Sequence, residues 1–252
     1  MNKKYKLVEK KFFPELNKEL WQIEALCDFG NVKKGDKGGW IEWESNLNNE
    51  NDGDAWVYEN ARVYGNARVY GNAEVYGDAK VYGNARVYGD AKVYGDAKVY
   101  GDAWVYGDAW VYGNTEVCGD TEVCGDAKVC GDVKVYGDAK VYGNAEVYGD
   151  AWVYGDAWVY GNARVCGDAE VCGNAKILVL GKLGNDRRFI TATWSRDNCL
   201  KVKAGCFFGT IDDFQKAVIE KYGDGESDYM LIIPLLRKKE KEWAERNGKN
   251  ED

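Results

Sequence analysis

Residues 77–88 read Gly77-Asp78-Ala79-Lys80-Val81-Tyr82-Gly83-Asn84-Ala85-Arg86-Val87-Tyr88, two copies of one hexapeptide. The unit Gly-(Asp/Asn)-Ala-x-Val-Tyr runs in phase from Gly53 to Leu178, twenty-one times without an insertion. A short fixed period over half a chain signals a solenoid. One unit is too small to bury its apolar face alone and must stack on its neighbours. Within Ala-x-Val-Tyr the residues alternate as in a strand, with Ala and Val inward and x and Tyr outward. The x position takes Lys, Arg, Glu or Trp, which marks it as solvent-facing, whereas Val gives way only to Ile177. Gly with Asp or Asn then turns the chain. Gly carries no Cβ penalty at positive φ, and Asn and Asp tolerate that region best among the others.

Working outward, the 252 residues divide into a head (1–52), the array (53–178) and a tail (179–252). With 45% hydrophobic residues and regular patterning, the Gly-rich array is not a disordered segment. The net charge of −8 resides in the array, which has 11 Lys and Arg against 19 Asp and Glu. An acidic rod repels phosphate backbones, so direct, sequence-independent nucleic-acid binding is not expected, while a basic partner stays open. No apolar leader or membrane-spanning run is visible, and the expected location is the cytoplasm of a bacterial host cell.

The register Val-Tyr-Gly-Asp-Ala-Lys, as at residues 87–92, resembles the hexapeptide of left-handed parallel β-helices. That resemblance implies a left-handed, single-stranded β-helix with three hexapeptides per triangular coil. It follows that the array forms about seven coils, roughly 34 Å long at the usual strand spacing. The segment from Ile23 to Glu42, followed by Asn46-Leu47, is similar to phage and bacterial YdcK-like repeat proteins, some of them labelled acyltransferases. Gly205-Cys206-Phe207-Phe208-Gly209-Thr210 is similar to tails on phage-encoded members. These resemblances imply the fold and a mobile-element origin, and carry no activity.

If a coil is 18 residues, positions 18 apart stack. The outward Tyr row then forms three columns, interrupted by Cys118, Cys124, Cys130, Cys166 and Cys172. Rings at strand spacing stack along the axis, giving either a structural ladder or an aromatic binding face. Trp56, Trp104, Trp110, Trp152 and Trp158 occupy the x row, and exposed aromatic surface of this kind commonly has a partner. Trp110 shares a face with Trp56 and Trp104 shares one with Trp158; Trp152 lies on the third. The pairs 104/110 and 152/158 recur at an offset of 48 residues, which is not a whole number of coils, and this argues against one long flat binding plane. The corner row of 13 Asp and 8 Asn is expected to be structural, its charge offset by Lys and Arg of the x row. A metal there is the rarer alternative, and no calcium-roll spacing is present.

The array cysteines lie on different faces or too far apart to pair as disulfides. None has a Cys-x-x-Cys zinc spacing. Cys27, Cys199 and Cys206 are expected to be buried apolar residues. The sequence has no histidine. Hexapeptide acyltransferases and β-helical carbonic anhydrases rely on one, so neither chemistry carries over. No catalytic residue, metal ligand or cofactor site is assigned, and the protein is not expected to be an enzyme.

An open solenoid needs caps. The head offers strands at Tyr5–Val8, Leu20–Leu26 and Gly38–Trp43, with Trp40 and Ile41 expected over the first coil's core. The tail reads as a small ββαα unit: strands at Arg188–Trp194 and Leu200–Phe208 joined through 195–198, then a helix capped by Thr210. That helix has an apolar face of Ile211, Phe214, Val218 and Tyr222 and ends at Gly223. A second helix runs from near Ser227 to Arg246, with Pro234 kinking it or marking its first turn. Its charged end, Arg237 to Trp243, is either a solvated face or a partner-binding one.

The favoured reading is a non-catalytic protein-binding or scaffold protein, phage-encoded and acting on a host protein, with inhibition of a host defence system as one purpose. The residues that would carry it are Trp104, Trp110, Trp152, Trp158 and Trp243. The rivals are a small-molecule binder or transferase of the hexapeptide type, holding acyl-CoA or a nucleotide between the subunits of a homo-oligomer, and a structural spacer of a phage particle.

Overall fold

The computed structural model describes residues 3–49, 53–167, 169–172, 177–183, 188–194, 199–223 and 227–247. The head contributes β1 (Tyr5–Phe13), β2 (Lys18–Ala25) and β3 (Lys37–Ile41). Twenty short strands, β4 to β23, follow from Trp56–Val57 to Glu170–Cys172. Each pairs in parallel with the strand 18 residues away, as Lys92↔Trp110 and Val93↔Val111 show. The strands fall into three sheets, so every third hexapeptide returns to the same face. The array is a three-faced solenoid of about seven coils.

The repeat explains each feature. Ala and Val of successive units are fully buried and form one continuous core along the axis. Burying each Val contributes about 2 kcal/mol before entropy is charged against it. The backbone is satisfied between coils: Lys80 N donates to Ala97 O at 2.9 Å, Tyr82 N to Val99 O at 3.0 Å and Asn84 N to Gly101 O at 2.8 Å. The corner glycine has no substitute of equal fit. Gly83 sits at φ 72°, and a Cβ there would lie 2.9 Å from Gly101 N. Glu59 occupies the one corner of the array without glycine, at φ 52°, and its carboxylate accepts from Gly77 N at 3.0 Å.

The head is more than a lid. β3 pairs in parallel with Arg62–Val63, placing Ile41 on Val63, and Leu47 bridges to Val69. The solenoid therefore begins before the hexapeptide does. Asn46 is buried at this junction. Its Nδ2 donates to Gly65 O and Ala67 O at 3.0 and 2.9 Å, and its Oδ1 accepts from Glu42 N and Trp43 N at 3.1 and 2.7 Å. Ile41 meets expectation, but Trp40 does not cover the core. Strand alternation turns it outward, into a separate cluster with Phe13, Leu20 and Tyr64.

At the other end the described part of the last hexapeptide, Ile177 and Leu178, leaves the solenoid. Ile177 and Leu178 belong to β24 (Ile177–Leu183), which pairs antiparallel with β25 (Arg188–Trp194), Ile177 opposite Thr193. Its residues 173–176, Phe189's side chain and the expected turn at 195–198 lie outside the described set. The expected strand Leu200–Phe208 is two strands, β26 (Leu200–Ala204) and β27 (Phe207–Thr210), reversing at Gly205 with φ 61°. The tail is thus a four-stranded antiparallel sheet plus α1 (Ile211–Tyr222) and α2 (Asp228–Asn247). One sheet face, with Ile190, Ala192 and Trp194, packs under the helices. The other caps the solenoid: Thr191 and Thr193 are buried, and Thr191 Oγ1 accepts from Arg164 N at 3.3 Å.

Thr210 caps α1 as expected, accepting from Asp213 N at 3.2 Å while Asp213 returns the contact, and Gly223 ends the helix at φ 80°. Ile211, Phe214 and Val218 are buried, but Tyr222 is exposed and stacks on Tyr229 at the mouth of the helix pair. Pro234 lies inside α2, beyond its first turn.

Candidate functional site

The outward rows hold the chemistry that the repeat leaves free to vary. Their tyrosines form ladders: Tyr64–Tyr82–Tyr100, Tyr70–Tyr88–Tyr106 and Tyr76–Tyr94–Tyr112, with rings 4.7–4.9 Å apart and within 3° of parallel. Shorter pairs follow after the cysteine coil, Tyr136–Tyr154 and Tyr142–Tyr160. Coil spacing favours this stacking, with Tyr58 the exception, meeting Tyr76 edge-on at 6.3 Å and 86°. Burial pushes the Tyr58 and Tyr64 phenols up to about 12. Where a ladder ends on cysteine, the neighbouring thiol leads the same upward shift, as Cys118 does at Tyr100.

The tryptophans distribute as the column reading requires: Trp104 and Trp158 on one face, Trp110 with Trp56 on a second, Trp152 on the third. Four of them share one arrangement. Trp104, Trp110, Trp152 and Trp158 each meet the tyrosine of the preceding coil edge-on at 6.3–6.4 Å and 72–74°, namely Tyr88, Tyr94, Tyr136 and Tyr142. A cation from an adjacent coil lies over each indole at 5.0–6.0 Å: Arg86, Lys128, Lys134 and Lys140 respectively. Trp104, Trp110 and Trp158 stay 38–49% exposed, while Trp152 is half-buried. The flanking cations were missed in the sequence, although the 18-residue columns hold the signal.

Trp56 and Trp243 differ. Trp56 is only 1% exposed, covered by Tyr5 and Phe29 of the head. Trp243 is 8% exposed and lies in the tail core with Leu236 and Ile233, so its place is the helix–sheet seam and not a partner-facing surface. The charged sequence around it gave no hint, because the helix turns this one position inward.

Charge compensation in the x row runs between coils: Lys92–Glu74 at 2.8 Å, Lys98–Glu116 at 2.9 Å, Lys140–Glu122 at 2.8 Å and Arg164–Glu146 at 3.1 Å. Lys140, joined by the Tyr106 hydroxyl, holds the Glu122 carboxyl below its usual range. These cations relieve x-row glutamates. Corner carboxylates also draw on them, Asp90 on Lys92 and Asp96 on Lys98, and some accept from asparagine as well: Asn84 Nδ2 donates to Asp102 Oδ1 and Asn72 Nδ2 to Asp90 Oδ1, both at 2.9 Å. No group of three potential metal ligands occurs among the described residues. Cys206 is exposed and Cys27 and Cys199 are half-buried, not the buried apolar residues expected. Among the described residues no helix is long and apolar enough to cross a membrane.

Parallel three-faced stacking at an 18-residue pitch, with free variation only on the outside, defines a repeat β-solenoid. Within that class, a family model described as YdcK beta solenoid repeat matches residues 61–77, 79–95 and 139–155. The similarity covers coils on both sides of the cysteine coil and leaves head and tail unmatched. No curated protein matches the chain.

Proposed function

We propose that this protein is a non-catalytic, phage-encoded scaffold that binds a host protein in the bacterial cytoplasm through tryptophans of its rod, with inhibition of a host defence system as its purpose. The observation that carries the reading is the repeated setting of Trp104, Trp110, Trp152 and Trp158, each wedged between a tyrosine edge and a cation. A large aromatic already fixed in one rotamer loses little entropy on binding, which is what distinguishes interface anchors from incidental exposed rings. The acidic corners beside them, Asp102, Asp108 and Asp120 among others, favour a partner with a basic rim around an apolar contact. A sequence without histidine supports the non-catalytic part, since the general base that related transferases use is missing.

The test is affinity capture from host lysate with the full chain and with a variant carrying Trp104→Ser, Trp110→Ser, Trp152→Ser and Trp158→Ser. The expected result is one dominant host protein, its recovery reduced at least tenfold in the variant while the circular dichroism of the rod is kept. Equal recovery by a folded variant would remove the tryptophans from the proposal. Finding the chain as a stoichiometric component of purified virions would replace the scaffold reading with a structural one.

A further inference from the structure

The rod is acidic, yet one cleft at its N-terminal end is cationic. Strands Arg68–Val69 and Arg86–Val87 are in register, with Arg68 directly opposite Arg86. Like charges on neighbouring strands are unfavourable unless something relieves them. Elsewhere in the x row relief comes from glutamate one coil away. Among the described residues neither Arg68 nor Arg86 has a carboxylate partner. The guanidinium of Arg86 instead lies over the Trp104 ring at 5.0 Å, which restrains it. Glu44, the acid at the edge of the cleft, is engaged by Lys3 at 2.8 and 2.9 Å.

Two further features converge on the same cleft of about 510 Å³, within the size range of small-molecule sites. Asn49 lines it. Its Oδ1 accepts from Lys4 N and Tyr5 N at 2.8 and 3.1 Å, which fixes the amide orientation, and its Nδ2 is buried without an acceptor. Tyr70 also lines it and is the first ring of its ladder. The other ladder heads are covered: Tyr64 by Phe13, Leu20 and Trp40, and Tyr76 by Tyr58, which meets it edge-on at 6.3 Å. Among the described residues Tyr70 has one ring partner, Tyr88 at 4.8 Å; on its other side the backbone places Asn48, whose N donates to Val69 O at 2.9 Å.

We propose that this cleft binds a mononucleotide, with the base against the part of the Tyr70 ring that reaches into the cleft past Asn48 and the phosphate held between Arg68 and Arg86. Planar guanidinium forks suit a phosphate dianion better than a point charge does, and one of them is already oriented by Trp104. A base against Tyr70 extends the aromatic face of the ladder, and such stacking tolerates any base. This goes beyond the protein-binding reading and uses different residues, except that Trp104 orients Arg86.

The experiment is calorimetric titration of the full chain with AMP, GMP, CMP and UMP, beside adenosine, inorganic phosphate and a 5′-phosphorylated tetranucleotide. At least one monophosphate is expected to bind at least tenfold more tightly than adenosine and inorganic phosphate. Arg68→Gln and Arg86→Gln are each expected to weaken it at least tenfold, with circular dichroism unchanged because both side chains are exposed. Tyr70→Leu is expected to bring the monophosphate down to the affinity of inorganic phosphate. Absence of monophosphate binding, or binding that survives the double arginine variant, overturns the proposal. Inorganic phosphate binding as tightly as every monophosphate overturns the base-stacking half. A tetranucleotide that binds more tightly than any monophosphate reassigns the cleft to a nucleic-acid end.

Discussion

At the scale of single residues, the axial core contains its own control experiment. Thr115 and Thr121 stand where nearly every other unit has alanine, and both are fully buried. Thr115 Oγ1 donates to Tyr112 O at 2.7 Å, whereas Thr121 Oγ1 has no partner. A buried hydroxyl without a hydrogen bond costs about 1–3 kcal/mol, and a satisfied one contributes about 1 kcal/mol. Thr121→Ala should therefore raise the midpoint of chemical denaturation, corresponding to about 1 kcal/mol or more. Thr115→Ala should leave it level or lower it. If both shift equally in one direction, hydrogen bonding is not what separates them. The columns identify both positions as inward-facing from sequence alone. Which hydroxyl finds a carbonyl depends on backbone positions that no spacing reveals.

At the scale of elements, the corner is the strictest part of the repeat. Gly83→Ala must hold φ near 72° with a Cβ 2.9 Å from Gly101 N, so it should cost at least about 2 kcal/mol. The same change at Gly161, where a Cβ would meet nothing within 4 Å, keeps only the dihedral part, about 1–2 kcal/mol. Equilibrium unfolding of the two variants separates the contact from the strain, and equal losses would show that the close approach between coils is immaterial. The elements also mark where periodicity misleads. Ile177 and Leu178 keep the hexapeptide's phase but pair antiparallel with Thr193 and Ala192, because the tail sheet competes for that edge. Ile41 and Leu47 break the phase yet stack on Val63 and Val69 as coil residues. Burial of an inward apolar side chain and a free strand edge define a coil; the hexapeptide is one way to supply them.

At the scale of the whole molecule, the tyrosine ladders couple stability to alkaline pH. Burial raises the phenols of Tyr58, Tyr64, Tyr76, Tyr82, Tyr88 and Tyr94, to about 12 for the first two. In the unfolded chain tyrosine ionises near about 10. Between these values the folded protein retains protons that the unfolded chain has lost. The ladders' stabilisation is thus fully present below pH 10 and falls as pH rises toward 12. Ionised rings at ladder spacing also repel one another, which makes the loss steep. Absorbance at 295 nm and far-UV circular dichroism, followed together, should show most phenols ionising above pH 10 and concurrently with unfolding. Complete ionisation near pH 10 with the rod intact would refute buried ladders as a source of stability.

The sequence by itself determined the solenoid, the inward Ala and Val and the outward x and Tyr rows, and the resemblance to hexapeptide β-helices implied the 18-residue pitch, from which the columns and the face of each tryptophan follow. A six-residue period with one alternating strand and one glycine corner admits few other packings. It also located the cap of α1, since Thr210 and Asp213 act within a single turn. Only the tertiary structure decided which tryptophans remain accessible. Trp56 and Trp243 are covered by residues distant in sequence, Tyr5 and Phe29 for the one and the tail sheet for the other. It alone placed the orphaned Asn49 amide beside Arg68 and Arg86, because that meeting depends on how the aperiodic head folds back onto the first coils. Local pattern fixes contacts that recur at the pitch of the repeat. Contacts made once, between a repeat and a non-repeating segment, follow from the competition for exposed edges and apolar surface at the ends of the rod.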